Sequence, residues 1–246
     1  MDSLETFYQN LNLTQLRNFL DACQRISFIE PASKKKEIVI PNAVKLQQFF
    51  DTYQDVSSFF QQEKERGMLA NVWVAANLGR NEVRNSKTLR WFLDASETHG
   101  QGDFFLNGLL KSLPRSIGTE RIRNYCATEE CCPLGEQSER VDIEIDGENF
   151  LLFIEVKIDA VEGVNQLQRY QDVAMAKSSF RPWKIIYLTP TGKVPEEHEN
   201  NAQIIGLSWG NFANYLNREI NTHLKHNPNN LGLWLGKQFV KHMLTF

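Results

Sequence analysis

Residues 140–160 read R-V-D-I-E-I-D-G-E-N-F-L-L-F-I-E-V-K-I-D-A, and residues 165–170 read N-Q-L-Q-R-Y. Val141, Ile143 and Ile145 alternate with Asp142 and Glu144, the period of a half-buried strand. Asp146-Gly147 signals a tight turn. The return, Phe150 to Ile158, is apolar almost throughout, as a central strand covered on both faces should be. Only Glu155 and Lys157 interrupt it, and two residues apart they share one face. A helix over 163–178 then sets Gln166 and Tyr170 at i, i+4. The stretch predicts a β-hairpin followed by a helix, with charge where a buried sheet tolerates little.

A hairpin closed by D-G-E-N brings Asp142 near Phe153, with Glu155 as its diagonal neighbour on the same face. Two unpaired carboxylates on a buried strand repel each other and lose hydration. A hard divalent cation relieves both costs, and Mg2+ takes carboxylate oxygens at about 2.1 Å while keeping waters for a phosphate. An ammonium at Lys157 can orient such a water, favour its deprotonation, or steady charge developing on phosphorus. The chemistry that suits this set is metal-assisted hydrolysis of a phosphodiester.

Working outward, Leu4, Phe7, Leu11, Leu16 and Leu20 fall at helical spacings over residues 2–23. A connector follows with Lys34-Lys35-Lys36 and a short apolar piece, 38–40. Helices are predicted over 43–66, 68–78, 80–94 (capped by Asn81) and 103–113. Glu82, Asn85, Leu89 and Phe92 share one face, so Glu82 points with the apolar residues or is a solvated acid of the first turn. A strand over 119–128 precedes the hairpin. Strands at 183–188 and 204–207, a helix capped by Ser208 and a last helix over 231–245 complete the chain. From residue 80 the order is α-α-β-β-β-α-β-β-α-α, a mixed α/β sheet flanked by helices. The division expected is an N-terminal helical region, 1–66, packed on a domain over 67–246.

At 246 residues, 41% hydrophobic and 23% charged, the chain has the makings of an ordinary globular core. No run of some eighteen apolar residues predicts a membrane span, and M-D-S-L-E-T lacks the layout of a signal peptide, so a cytoplasmic setting is expected. Cys126, Cys131 and Cys132 lack the C-x-x-C spacing and nearby histidine of a zinc set, and reduced thiols are the better reading. A net charge of −3 announces no nucleic-acid binder, although a local basic groove is compatible with it.

At these residues the chain resembles the PD-(D/E)XK nuclease superfamily. Asp142 matches the aspartate of its motif, Glu155-Val156-Lys157 the E-x-K, and Gln166 to Tyr170 the Q-x-x-x-Y of the branch similar to RecB nucleases. N-E-V-R-N-S, L-R-W-F-L-D and H-G-Q-G-D look like an uncharacterised bacterial branch of it. Val141 stands where the motif name has proline. Gly79 precedes Glu82 at one residue less than the G-x-x-x-E of the RecB-like branch.

The resemblance implies a restriction-endonuclease-like core and a Mg2+-dependent nuclease, Mn2+ being the alternative ion, acting on nucleic acid and on DNA in particular. Asp142, Glu155, Lys157, Gln166 and Glu82 are the catalytic candidates, with Asp142, Glu155 and Glu82 as metal ligands. Tyr170, Gln168 and Asn85 are the candidates for binding substrate. An RNase of the same fold, or an inert nucleic-acid- or protein-binding module, are the rivals. Regulation, homodimerisation and completing the core are the roles open to the N-terminal helices.

Overall fold

The computed structural model describes residues 43–67, 69–117, 124–135, 140–159 and 165–246. The helix predicted over 2–23, the apolar piece at 38–40 and the first residues of the strand predicted over 119–128 lie outside these. The chain divides into two compact units, Met1–Arg66 and Gly67–Phe246. In the first, the described element is helix α1 (Ala43–Glu65). Its turns are linked by Gln47 donating to Asp51 and Gln61 donating to Glu65.

The second unit runs α2 (Val72–Ala75), α3 (Glu82–Leu93), α4 (Phe104–Ser112), β1 (Tyr125–Cys131), β2 (Val141–Gly147), β3 (Phe150–Val156), α5 (Gln166–Lys177), β4 (Trp183–Thr189), β5 (Ile204–Ser208), α6 (Trp209–His226) and α7 (Leu231–Met243). From α3 onward this is the order that hydrophobic periodicity predicts. The sheet order is β1-β2-β3-β4-β5, with β1, β2 and β3 antiparallel and β3, β4 and β5 parallel. Among the described residues no helix is long and apolar enough to cross a membrane.

The continuous apolar run of β3 has a direct cause. Ile154 and Leu152 face one core, shared with Leu89 and Phe92 of α3, Leu106 of α4, Phe212 and Leu216 of α6, and Phe239 of α7. Leu151 and Phe153 face a second core, closed by Leu167, Tyr170, Val173 and Ala174 of α5. Four helices cover one face and a single helix the other. Each buried Leu, Ile or Phe contributes roughly 1.5–3 kcal/mol, so a central strand with every residue buried anchors both layers.

Several boundaries differ from the sequence-based expectation, among them the end of β3, which stops at Val156 rather than Ile158. Helix α2 is four residues long rather than spanning 68–78, because Asn71 caps Trp73 and Val74 and the chain turns left-handed at Asn77 and Gly79. β1 runs on to Cys131, which pairs with Val141, instead of stopping at 128. The hairpin turn is Glu148-Asn149, not Asp146-Gly147, since Gly147 pairs with Phe150 within the ladder. A Cβ at Gly147 would lie 2.6 Å from the Phe150 ring, so the glycine serves close packing rather than the turn. Asn124 fixes the real turn by accepting from the Glu148 N–H and donating to its carboxylate at 2.7 Å.

Candidate active site

The corrected turn moves the register by two residues. Phe153 sits opposite Glu144 and Ile154 opposite Ile143, where the ladder ends, and just past it Asp142 accepts from the Val156 N–H, close enough to Glu155 for their charges to interact. A shift of two preserves the face on which each side chain points, so the two carboxylates stay on one face and near each other. They lie where β3 leaves its pairing with β2, beside the first turn of α5.

Glu155 is almost wholly buried, at 1% exposure, and its carboxylate is ringed by donors. Lys157 Nζ lies 2.5 Å from Oε1, and Gln166 Nε2 donates to the same oxygen at 2.7 Å. Tyr170 Oη lies 2.7 Å from Oε2 and 2.9 Å from the Arg140 carbonyl oxygen, and its single proton goes to the carboxylate, the stronger acceptor. Gln166 also donates to Tyr170 at 3.1 Å and accepts from Lys157 at 3.2 Å, so the i, i+4 pair of α5 reads the lysine and the glutamate together.

Asp142 accepts from the Val156 N–H at 2.9 Å. Burial, and then the Glu155 charge beside it, push its carboxyl up to about 7, against the pull of that N–H and of Lys157, and Glu82 adds to the rise. Burial alone would lower the Lys157 ammonium, but Glu155, with Asp142 and Glu82, holds it above its usual range and charged. Burial, and then Glu155, raise the Tyr170 phenol, which stays a neutral donor. Among the described residues, Lys157 thus faces three carboxylates, those of Glu155, Asp142 and Glu82.

Glu82 lies at the start of α3, where Asn81 caps the helix by accepting from the Arg84 N–H. Its Oε1 accepts from the backbone N–H groups of Ile158 and Asp159, at 2.7 and 3.0 Å. Asn85 is fully buried. Its amide donates to the carbonyls of Gly79 and Asn81, and its oxygen accepts from His242 Nε2 at 3.1 Å. The substrate-binding role expected for Asn85 meets an amide committed to the core. Tyr170, expected to touch substrate, lies against Glu155 at 2% exposure. Gln168 is exposed and donates to Asp172 one turn on.

Other polar groups carry no signal in the sequence. Trp209, just past β5, donates Nε1 to the Lys157 carbonyl at 3.0 Å. Glu144, on the same face as Asp142, is buried and pairs with Lys177 at 2.7 Å, while Arg181 binds Asp146 at 2.7 Å. His99 of the H-G-Q-G turn is buried too, donating to the Asp94 carbonyl and accepting from the Gln101 N–H, a structural arrangement.

Among the described residues no three His, Cys, Asp or Glu side chains form a ready-made metal cage. The donor set that does come together is the pair Asp142 and Glu155, two buried carboxylates whose mutual repulsion a bound cation would relieve. These oxygen donors fit a hard divalent ion that keeps part of its water shell.

No curated protein and no solved structure matches the chain. A model of the PD-(D/E)XK nuclease superfamily matches residues 70–241, which takes in Glu82, the hairpin, Lys157 and the Gln166–Tyr170 pair. That match spans well over half of the sequence, and the fold and the D…E-x-K geometry agree with it: the chain belongs to the PD-(D/E)XK nuclease superfamily.

Proposed function

We propose that this chain is a Mg2+-dependent nuclease that hydrolyses phosphodiester bonds in DNA. The observation that carries the reading is the interacting pair Asp142 and Glu155 at the end of a buried strand, with Lys157 bonded to Glu155 two residues on. Asp142 and Glu155 would hold the ion. When bound, the ion supplies charge neutralisation at the phosphate and a more acidic water. Lys157, kept charged by its neighbours, steadies the charge that develops on the phosphoryl oxygens. Gln166, which already touches both Lys157 and Glu155, is placed to orient the attacking water or the scissile phosphate. Tyr170 fixes the free rotation of the Glu155 carboxylate. A setting in DNA defence or repair rests on the family likeness alone.

The saturation of Glu155 by Lys157, Gln166 and Tyr170 favours a second reading, a nucleic-acid-binding module that keeps these charges as a structural network. Plasmid, linear and single-stranded DNA and a matched RNA, each with Mg2+, Mn2+ or EDTA, separate the readings. Metal-dependent cleavage of DNA is the expected result. Cleavage of RNA alone would make the chain an RNase, and binding without turnover in either metal would select the inert module.

A further inference from the structure

Beyond Ile154 the ladder between β2 and β3 has ended, so the position of Lys157 depends on what holds the chain past the strand. The Lys157 N–H donates to the Leu188 carbonyl at 2.9 Å, and its own carbonyl accepts from Trp209. The next two N–H groups, of Ile158 and Asp159, go to one oxygen of Glu82. Arg80 then grips the outer end. Its Nε lies 3.0 and 2.9 Å from the two Asp159 carboxylate oxygens, and Nη2 lies 2.7 Å from Oδ1. Nη2 also reaches the Ile158 carbonyl at 3.4 Å, and Nη1 donates to the Thr245 carbonyl at 3.0 Å. The guanidinium sits 5.6 Å from the centre of the Phe246 ring.

As a stabilising ion pair this arrangement is worth little, because the Arg80 and Asp159 side chains are 43% and 62% exposed and water screens their attraction. Its geometry matters more. A displacement of about 1 Å at a reacting group can cost on the order of 100-fold in rate. Arg80 and Glu82 sit two residues apart on the entry to α3, and both seize the same dipeptide directly after Lys157.

We infer that Arg80 is a positioning residue, which with Glu82 clamps Ile158–Asp159 and so sets where Lys157 Nζ stands against Glu155. In this arrangement Oε1 of Glu82 holds the backbone directly after Lys157. The catalytic part of the inference rests on the nuclease reading, whereas the clamp itself does not.

The test uses Arg80→Gln, Asp159→Asn and the double variant of the full chain. Each single variant should lower kcat about tenfold with KM within twofold, and the double should lose no more than either single. Amide hydrogen exchange at Ile158 and Asp159, followed by NMR without metal or substrate, should quicken at least tenfold in Arg80→Gln. A kcat within twofold of wild type, additive losses in the double variant, or a raised KM at unchanged kcat would overturn the inference, the last making Arg80 a substrate contact. If the wild type cleaves nothing in Mg2+ or Mn2+, the nuclease reading fails and exchange alone decides. Faster exchange then upholds the clamp, and unchanged exchange at both amides removes it.

Discussion

Two charged clusters lie on the same face of the sheet, under opposite ends of α5. Near its first turn, Asp142 and Glu155, with Glu82 close enough to be felt, gather around the cation Lys157. Near its last turn, Glu144 and Asp146 meet two cations, Lys177 and Arg181. The second cluster is balanced, and both of its cations are held by geometry that closes the α5–β4 corner, Arg181 also bonding the Ser178 and Gly147 carbonyls. Among the described residues the first sets more carboxylates than cations together, and burial with the Glu155 charge pushes the Asp142 carboxyl up to about 7. Burial alone does not mark a functional site. An uncompensated charge that the fold nonetheless keeps does.

The sharpest way to break this comparison is to remove charge from each cluster in turn. Asp142→Ala or Lys157→Ala should reduce metal-dependent cleavage by about 10³-fold or more, since several kcal/mol of transition-state stabilisation rest on this set. Full cleavage rates in both would merge the two clusters into one structural class. Lys177→Ala should do the reverse. It strands the buried Glu144 carboxylate and costs about 2–4 kcal/mol in urea unfolding, with kcat unchanged below the transition.

A third test uses pH. The folded-state pKa of Asp142 lies above the ordinary carboxylate value, so folding favours the protonated form. Its contribution to stability is present in full at low pH and is lost as pH rises through about 7. In the metal-free chain, wild type should lose about 2–3 kcal/mol more than Asp142→Asn between pH 5 and 8. Parallel stability curves for the two proteins would contradict a strained Asp142. The smallest effect expected is at Tyr170→Phe, where loss of one hydrogen bond to Glu155 should lower kcat about tenfold with little change in thermal midpoint.

Much of this was legible in the sequence because strand geometry has a period of two. The apolar run of β3 announced a central strand, and parity alone put Asp142, Glu155 and Lys157 on one face. A register error of two residues, caused by reading Asp146-Gly147 as the turn, left that face intact. Other features depend on contacts that local pattern cannot carry. Gly147 is required by the Phe150 ring, not by the turn. Asn85 shares a helical face with Glu82, and periodicity cannot tell an amide that meets substrate from one that ties Gly79 to His242. Arg80 meets Asp159, and Trp209 meets Lys157, across 79 and 52 residues of chain. Helix α2 was overestimated because an apolar pattern continued past Asn77, where the backbone had already turned left-handed.

The central claim is that the charge-surplus end of the sheet hydrolyses phosphodiesters and the balanced end does not. Its most direct test is the cleavage rate of linear double-stranded DNA in Mg2+ and in EDTA for wild type, Glu155→Ala and Glu144→Gln. Wild type and Glu144→Gln should cleave in Mg2+ and stop in EDTA, while Glu155→Ala should be inactive in both. Cleavage by Glu155→Ala at the wild-type rate would contradict the account.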